Sequence, residues 1–315
     1  MPDQSKDSLE NSNVLLIGGS GFIGSSVAYQ LAAEGVKLSA LYHKNPPEPN
    51  GVRQLKGDFR KFDWTALEDD LPGVIIHSGR ISGRTTPGRW LAGWQGAWAN
   101  QRLVKWMESL KNPPRLVYVS GTLVYGSNGT RPVHEDAPLA PTGFQKYYLR
   151  AEYPLLNAAK TSQLPLYIAR APWVLGAGSW FRQFYWRQIQ RQGEVPLFGD
   201  GENLMSIIHV SDSGRLINHI AKHSAKPGVV NMAVQKPVTQ KMFCTTLSDL
   251  TGVPVKSYSL ETLRRKYGKT VAEALSFSLN PVSDRTELES FKPNFPTLSE
   301  TLADVIQKLE KERSD

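Results

Sequence analysis

The stretch Gly18-Gly19-Ser20-Gly21-Phe22-Ile23-Gly24 constrains this chain more than any other. It follows a short apolar run, Val14–Ile17, and opens a helix-like stretch from Phe22 to Glu34 that Gly35 closes. Three small residues at this spacing let a strand turn tightly into a helix. Gly18 permits the turn, Gly21 lets backbone approach a pyrophosphate, and Gly24 lets the helix pack closely on the strand. The exposed N–H groups and positive dipole end of such a helix suit phosphate. In the strand–turn–helix context the motif predicts dinucleotide binding, with Phe22 and Ile23 in the first helical turn beside the ligand.

Further strands are expected at Lys37–Tyr42, Gly73–His77, Leu116–Ser120 and Leu166–Ala169, with helices near 89–111 and 146–161. Alternation of strand and helix implies an α/β fold, a doubly wound parallel sheet covered on both faces. After about residue 171 prolines and glycines break the pattern, which suggests a smaller second lobe. The expected division is a flexible tail at 1–12, a dinucleotide-binding domain at 13–170 with return segments near 206–231, and a substrate lobe from 171–205 and 232–315. No apolar run reaches the ~18 residues of a membrane span, and MPDQSKDSLENSN has no hydrophobic segment of a signal peptide. One cysteine, Cys244, excludes an internal disulfide and a cysteine metal site, so a reducing cytoplasm is expected. The 37 Lys and Arg against 29 Asp and Glu favour an anionic ligand, but no nucleic-acid-binding pattern accompanies them. The basic run Arg264-Arg265-Lys266 reads as a solvated helix face.

The end of the second strand bears on the cofactor. It reads Leu41-Tyr42-His43-Lys44, with no acid to accept from an adenosine ribose. His43 and Lys44 instead suit a 2′-phosphate, so NADP is favoured over NAD.

Taken in order, these motifs resemble the extended short-chain dehydrogenase/reductase family, also called the NAD-dependent epimerase/dehydratase family. Besides the glycine loop, the resemblance rests on Gly57-Asp58-Phe59, Val74-Ile75-Ile76-His77-Ser78-Gly79, Leu116–Ser120 with Val124-Tyr125-Gly126, Phe198-Gly199-Asp200-Gly201, Ile208-His209-Val210-Ser211-Asp212, Asn231 and Pro296-Thr297. It spans about residues 13–308. The resemblance implies a Rossmann-type sheet, a nicotinamide cofactor touched by Asp58, Phe59, Ser78 and Gly79, and a Tyr-x-x-x-Lys pair with a hydroxyl for acid/base chemistry. It also implies pairing into a homodimer through the helices near 89–111 and 146–161.

The chemical part of the pattern is missing. No tyrosine has a lysine four places on. With Glu152 setting the register, Phe144 stands at the tyrosine position, Tyr148 at the lysine position and Gly121 at the serine position. The family's asparagine falls at Gly96, with Asn100 one turn later. Phenyl has no ionisable proton, and a phenol supplies no ammonium charge. Candidate replacements are Tyr148, Thr122, Lys146 and Tyr147. Trp173 and Met205 stand where nucleotide-sugar enzymes of the family often carry asparagine and arginine, which argues against that substrate.

Aromatic and basic residues take their place. Arg80 and Arg84 follow the fourth strand as candidates for a phosphate or carboxylate. Trp90, Trp94 and Trp98 share a helical face, and Trp173, Trp180, Phe181, Phe184, Tyr185 and Trp186 form a second cluster. Such clusters serve as core, as pocket or as interface; Trp94, Trp173 and Trp180 are the pocket candidates. Two functions follow. One is an NADP-binding enzyme acting on an aromatic or apolar small molecule by altered acid/base chemistry, redox or not. The other is an inactive family member kept as a binding, assembly or regulatory subunit.

Overall fold

The computed structural model describes residues 13–314, so the expectation for the tail at 1–12 lies outside the described residues. In chain order, β1 (Val14–Ile17), α1 (Phe22–Ala33), β2 (Leu38–Tyr42), β3 (Arg53–Lys56), β4 (Val74–His77), α2 (Thr86–Ser109), β5 (Arg115–Gly121), β6 (Pro132–Val133), α3 (Gln145–Thr161) and β7 (Leu166–Ala171) build most of the first half. The chain continues through β8 (Trp173–Leu175), α4 (Arg187–Gln192), β9 (Val195–Phe198), β10 (Leu204–Met205), β11 (Ile207–His209), α5 (Val210–His223) and β12 (Gly228–Asn231). It ends with β13 (Val238–Thr239), α6 (Gln240–Thr251), β14 (Val255–Tyr258), α7 (Leu260–Tyr267), α8 (Lys269–Leu275), β15 (Asn280–Pro281) and α9 (Leu298–Ser314).

Seven strands form one sheet in the order β12-β7-β5-β4-β1-β2-β3, every neighbouring pair parallel. Strands buried on both faces explain the unbroken apolar runs. Val14 and Leu16 enter one core with Val27 and Leu31 of α1 and Ile217 and Ile220 of α5. Leu15 and Ile17 enter the opposite core with Leu103 and Met107 of α2 and Leu149 and Leu156 of α3. Strand order reverses at β1, whose C-terminal end therefore opens a crevice beside β4, the usual ligand position of such sheets.

Both edge strands escaped the sequence reading. β3 is Arg-Gln-Leu-Lys and mostly exposed, so it carries no apolar run. β12 completes the far edge after the return through β11 and α5. A third core packs Leu175, Phe181, Tyr185 and Phe243 against Leu302 and Val305 of α9. Arg264, Arg265 and Lys266 are exposed in the last turn of α7, the solvated face expected of them. No helix among the described residues is long and apolar enough to cross a membrane.

Candidate active site

The glycine loop is built by close backbone approach. Gly18 takes φ +86°, and a Cβ there would stand 2.5 Å from Gly79 Cα on the loop after β4. A Cβ on Gly24 would stand 2.0 Å from Gly18 O, so α1 can meet the strand turn only with glycine at this position. Gly21 N donates to Gly18 O at 2.9 Å, and Ser78 Oγ donates to Ile17 O at 3.1 Å, tying both loops together. Gly21 caps α1 without a side-chain hydrogen bond, and the first turn holds no acid. The first-turn N–H groups are thus left for an external anion.

These loops border a cleft of about 560 Å³ lined by Gly18, Gly21, His43, Lys44, Asp58, Phe59, Ser78 and Gly79. The residues read from sequence as cofactor contacts are thereby brought together. Phe22 and Ile23 line the adjoining chamber instead, and Gly24 serves packing. Arg60 also lines the cleft. Its Nε and NH2 donate to Asp58 Oδ2 at 2.9 and 2.6 Å, and its NH1 donates to Gln95 Oε1 at 3.3 Å. The guanidinium holds the Asp58 carboxyl below its ordinary range. Sequence reasoning missed Arg60, although a basic residue two places after Asp58 was there to be weighed.

Beneath the junction with the second chamber lies His77, 1% exposed. Its Nδ1 accepts from Gly79 N at 3.2 Å, and Nε2 meets Asn100 Oδ1 at 3.1 Å. Asn100 Nδ2 donates to Ala151 O at 2.6 Å. Burial pushes the imidazole down to about 4, so it is neutral and holds β4, α2 and α3 in register. Asn100 is committed to this chain. At Gly96 the helices run so close that a Cβ would lie 2.8 Å from Ala151 Cβ, which leaves no room for an asparagine.

The second chamber, about 490 Å³, is lined by Gly121, Thr122, Phe144, Gln145, Tyr148, Trp173 and Trp180, among others. Phe144 and Tyr148 both face it, with ring centroids 6.5 Å apart. Tyr148 Oη accepts from Gly83 N at 3.3 Å, and the Arg80 guanidinium lies 4.7 Å from the Tyr148 ring centroid. Trp173 and Trp180 meet edge to face at 4.8 Å. Gln145, which sequence reasoning also missed, is 9% exposed, and its Nε2 sits 2.8 Å from where a Cβ on Gly121 would stand. The amide occupies the space that a serine side chain at position 121 would need.

The chamber floor is polar and closed. Ser120 Oγ donates to Glu152 Oε2. Arg170 NH2 donates to Glu152 Oε1 at 2.7 Å, and the two charged side chains are 1% and 2% exposed. Arg170 also lies 4.6 Å from the Tyr125 ring centroid, and Tyr125 Oη donates to Asn231 Oδ1 at 2.7 Å.

Four candidates stand elsewhere. Lys146 is exposed, 5.2 Å from the Tyr147 ring centroid, and Tyr147 lies outside the chamber beside it. Helical rotation explains both corrections, since positions 144, 145, 148, 149 and 152 face inward and 146 and 147 turn away. Trp94 is 48% exposed on the outer face of α2, with the Arg150 guanidinium 4.0 Å from a ring centroid. Arg84 is exposed beyond both chambers, at the approach to α2. The second aromatic cluster also divides, because Phe181, Tyr185 and Trp186 belong to the third core. Cys244 is buried, and its thiol is pushed up to about 12, which removes it as a nucleophile.

The polar lining of the chamber comprises serine and threonine hydroxyls, the Gln145 amide, the Tyr118 and Tyr148 phenols, the Glu152 carboxyl and the Arg80 guanidinium, with no lysine in the lining among the described residues.

Comparison with known proteins bears on the family and the fold. The model of the NAD dependent epimerase/dehydratase family matches residues 14–233. The dTDP-6-deoxy-L-talose 4-dehydrogenase (NAD(P)(+)) of Kitasatospora kifunensis is 24% identical over 259 residues, covering 77% of this chain and 80% of that protein. The ADP-L-glycero-D-manno-heptose-6-epimerase of Alkalilimnicola ehrlichii is 26% identical over 250 residues, covering 69% and 74%. Among solved structures, human epimerase family protein SDR39U1 (isoform 2) with NADPH superposes with TM-score 0.74 at 21% identity, over 94% of this chain and 100% of that one. The dTDP-glucose 4,6-dehydratase of Bacillus anthracis in complex with NAD gives TM-score 0.75 at 18% identity, over 96% and 98%.

Proposed function

This chain belongs to the NAD dependent epimerase/dehydratase family, and from that premise we propose that it is an NADP(H)-binding enzyme acting on an aromatic or apolar small molecule. One observation carries the reading. Gly21, Ser78, Arg80 and Ser82 line both chambers, so a dinucleotide laid along the first would meet a ligand held in the second. Gly18, Gly21 and the first turn of α1 would hold the pyrophosphate, and His43 and Lys44 the adenosine phosphate. Arg60 is spent mainly on Asp58, which leaves Lys44 as the principal cation for a 2′-phosphate.

When bound, the nicotinamide supplies hydride chemistry next to the aromatic chamber. The chain's own groups would act by hydrogen bonding. Thr122 Oγ1 and the Gln145 amide would donate to a substrate oxygen, and the Tyr148 phenol, its oxygen held by Gly83 N–H, would transfer a proton. Trp173 in the chamber and Met205, which lines a separate pocket, lack the amide and the guanidinium that would suit a sugar diphosphate. The nucleotide sugars named for the relatives are therefore not the ligand proposed for this chain.

The exposed face of α2 favours a second reading. Trp90, Trp94 and Trp98 are 53%, 48% and 56% exposed, an apolar surface suited to a second copy or another protein. An inactive member acting as an assembly subunit would use this face, and an active homodimer would use it equally. A reducing compartment such as the cytoplasm suits the single buried thiol.

The test is a titration with NADPH and NADH, followed by energy transfer from the eight tryptophans. Micromolar NADPH binding, about tenfold tighter than NADH and weakened by Lys44→Ala, supports the cofactor reading. Turnover of aromatic carbonyls that Tyr148→Phe reduces by about 10²-fold supports the enzyme reading. Failure of both nucleotides to bind at about 1 mM overturns the cofactor assignment and leaves the subunit reading.

A further inference from the structure

Resting on the two-chamber reading above, we propose that the second chamber takes a flat aromatic carboxylate whose anionic group pairs with the Arg80 guanidinium.

The charges decide the sign. One basic and one acidic side chain line the chamber, Arg80 and Glu152. Glu152 is already satisfied from beneath by Arg170 and from the side by Ser120. Arg80 makes no ion pair among the described residues. The chamber therefore presents one uncompensated positive charge. A single guanidinium matches a single carboxylate and falls short of a diphosphate, whose usual second cation is absent where Met205 stands.

The geometry decides the body of the ligand. Arg80 lies against the Tyr148 ring at 4.7 Å, an arrangement that leaves the N–H edges of the guanidinium available to an acceptor. Gly83 N–H holds the Tyr148 oxygen, so one loop supplies both the cation and the anchor of its aromatic platform. Trp173 and Trp180 form an apolar wall, and a cavity of about 490 Å³ is of the size that encloses a small bicyclic molecule. Gln145 adds a primary amide to the chamber wall, and that amide makes no hydrogen bond to protein among the described residues, so it can meet a polar group of the ligand.

The probes are 2-naphthoate and its neutral isostere 2-naphthamide, titrated by calorimetry into the full chain with NADPH present and absent. The expected result is naphthoate binding about tenfold tighter than naphthamide. Arg80→Gln should erase that preference by weakening naphthoate, leaving naphthamide within about twofold and NADPH within about threefold. Equal affinity for the two probes in the parent protein overturns the proposal, as does no binding of either at about 1 mM. Arg80→Gln weakening NADPH about tenfold while sparing naphthoate also overturns it, and assigns Arg80 to the dinucleotide phosphates. The NADPH titration reads the two-chamber assignment separately. Loss of NADPH binding with the naphthoate preference intact defeats that assignment and leaves the anion site standing.

Discussion

On the dinucleotide side of the cleft, shape comes from backbone meeting backbone: Gly18 against Gly79, Gly24 against Gly18 O. On the substrate side, shape comes from side chains: the Gln145 amide over Gly121, the Arg80 guanidinium on Tyr148, and Trp173 against Trp180. Backbone contacts admit few alternatives, and a residue other than glycine at such a point has no room. Side-chain contacts can be exchanged one residue at a time while volume is kept. The difference would account for a chain that has the glycine loop but no tyrosine with a lysine four places on.

The largest effect expected lies under the substrate side, where interchangeability should end. Arg170→Ala would leave Glu152 charged and unpaired in a site where both side chains are almost fully buried. The expected loss is about 3–5 kcal/mol of unfolding free energy, read from urea denaturation. Pairing Arg170→Met with Glu152→Gln should recover more than half of it, because no buried charge is then left uncompensated. A loss under about 1 kcal/mol for Arg170→Ala would mean that the floor is as tolerant as the walls.

Gly24→Ala is the matching test of the dinucleotide side. The new Cβ would meet Gly18 O, a backbone atom, at 2.0 Å. Relief requires moving α1 off the strand turn, at a cost of about 3 kcal/mol. NADPH affinity should fall by more than about tenfold as the first-turn N–H groups shift. Binding within about twofold of the parent would show that the loop yields, and the contrast between the two sides would fail.

Legibility in the sequence followed the same division. The glycine loop and the apolar runs of β1, β4, β5 and β7 could be read because each is forced by a general requirement: a turn without Cβ, or a strand buried on both faces. β3 could not, because Arg53–Lys56 is an exposed edge strand held by its ladder to β2 and has no apolar pattern. At the site, the register set by Glu152 pointed to Phe144 and Tyr148, which line the chamber, whereas Lys146 and Tyr147 turn away from it. Gln145 was passed over because nothing local marks it. Its place depends on the missing side chain of Gly121, 24 residues earlier in the chain, and only the fold brings the two together. Trp94 lies outside the chamber for a related reason, since spacing identifies a shared face without saying whether that face looks inward.

His77 joins the two sides, and its titration should show how much the junction contributes. Its pKa in the fold is about 4, below the ordinary 6.5. Between these values the unfolded chain binds the proton and the folded one does not. The stability it contributes is therefore full above pH 6.5 and lost as pH falls towards about 4. The drop in unfolding free energy between about pH 7 and 4.5 should be about 2–3 kcal/mol larger for the parent protein than for His77→Gln. Equal drops would mean that protonation is absorbed without breaking the link to Asn100.

The smallest effect expected is also the sharpest contrast with Gly24. Gly121 has φ −137° and ψ 148°, an extended conformation that any residue adopts, so Gly121→Ala brings no backbone penalty. The added Cβ would meet Gln145 Nε2 at 2.8 Å, the far end of a side chain that can rotate towards the chamber. The cost should stay under about 1 kcal/mol in urea denaturation, against about 3 kcal/mol for the same added methyl at Gly24. The change should be felt in ligand binding, because the displaced amide enters the space a substrate oxygen would use, while NADPH affinity stays within about twofold. If Gly121→Ala instead costs as much as Gly24→Ala, Gln145 is clamped rather than free to turn. The substrate side would then owe its shape to packing as rigid as the glycine loop, and tolerance would no longer distinguish the two sides.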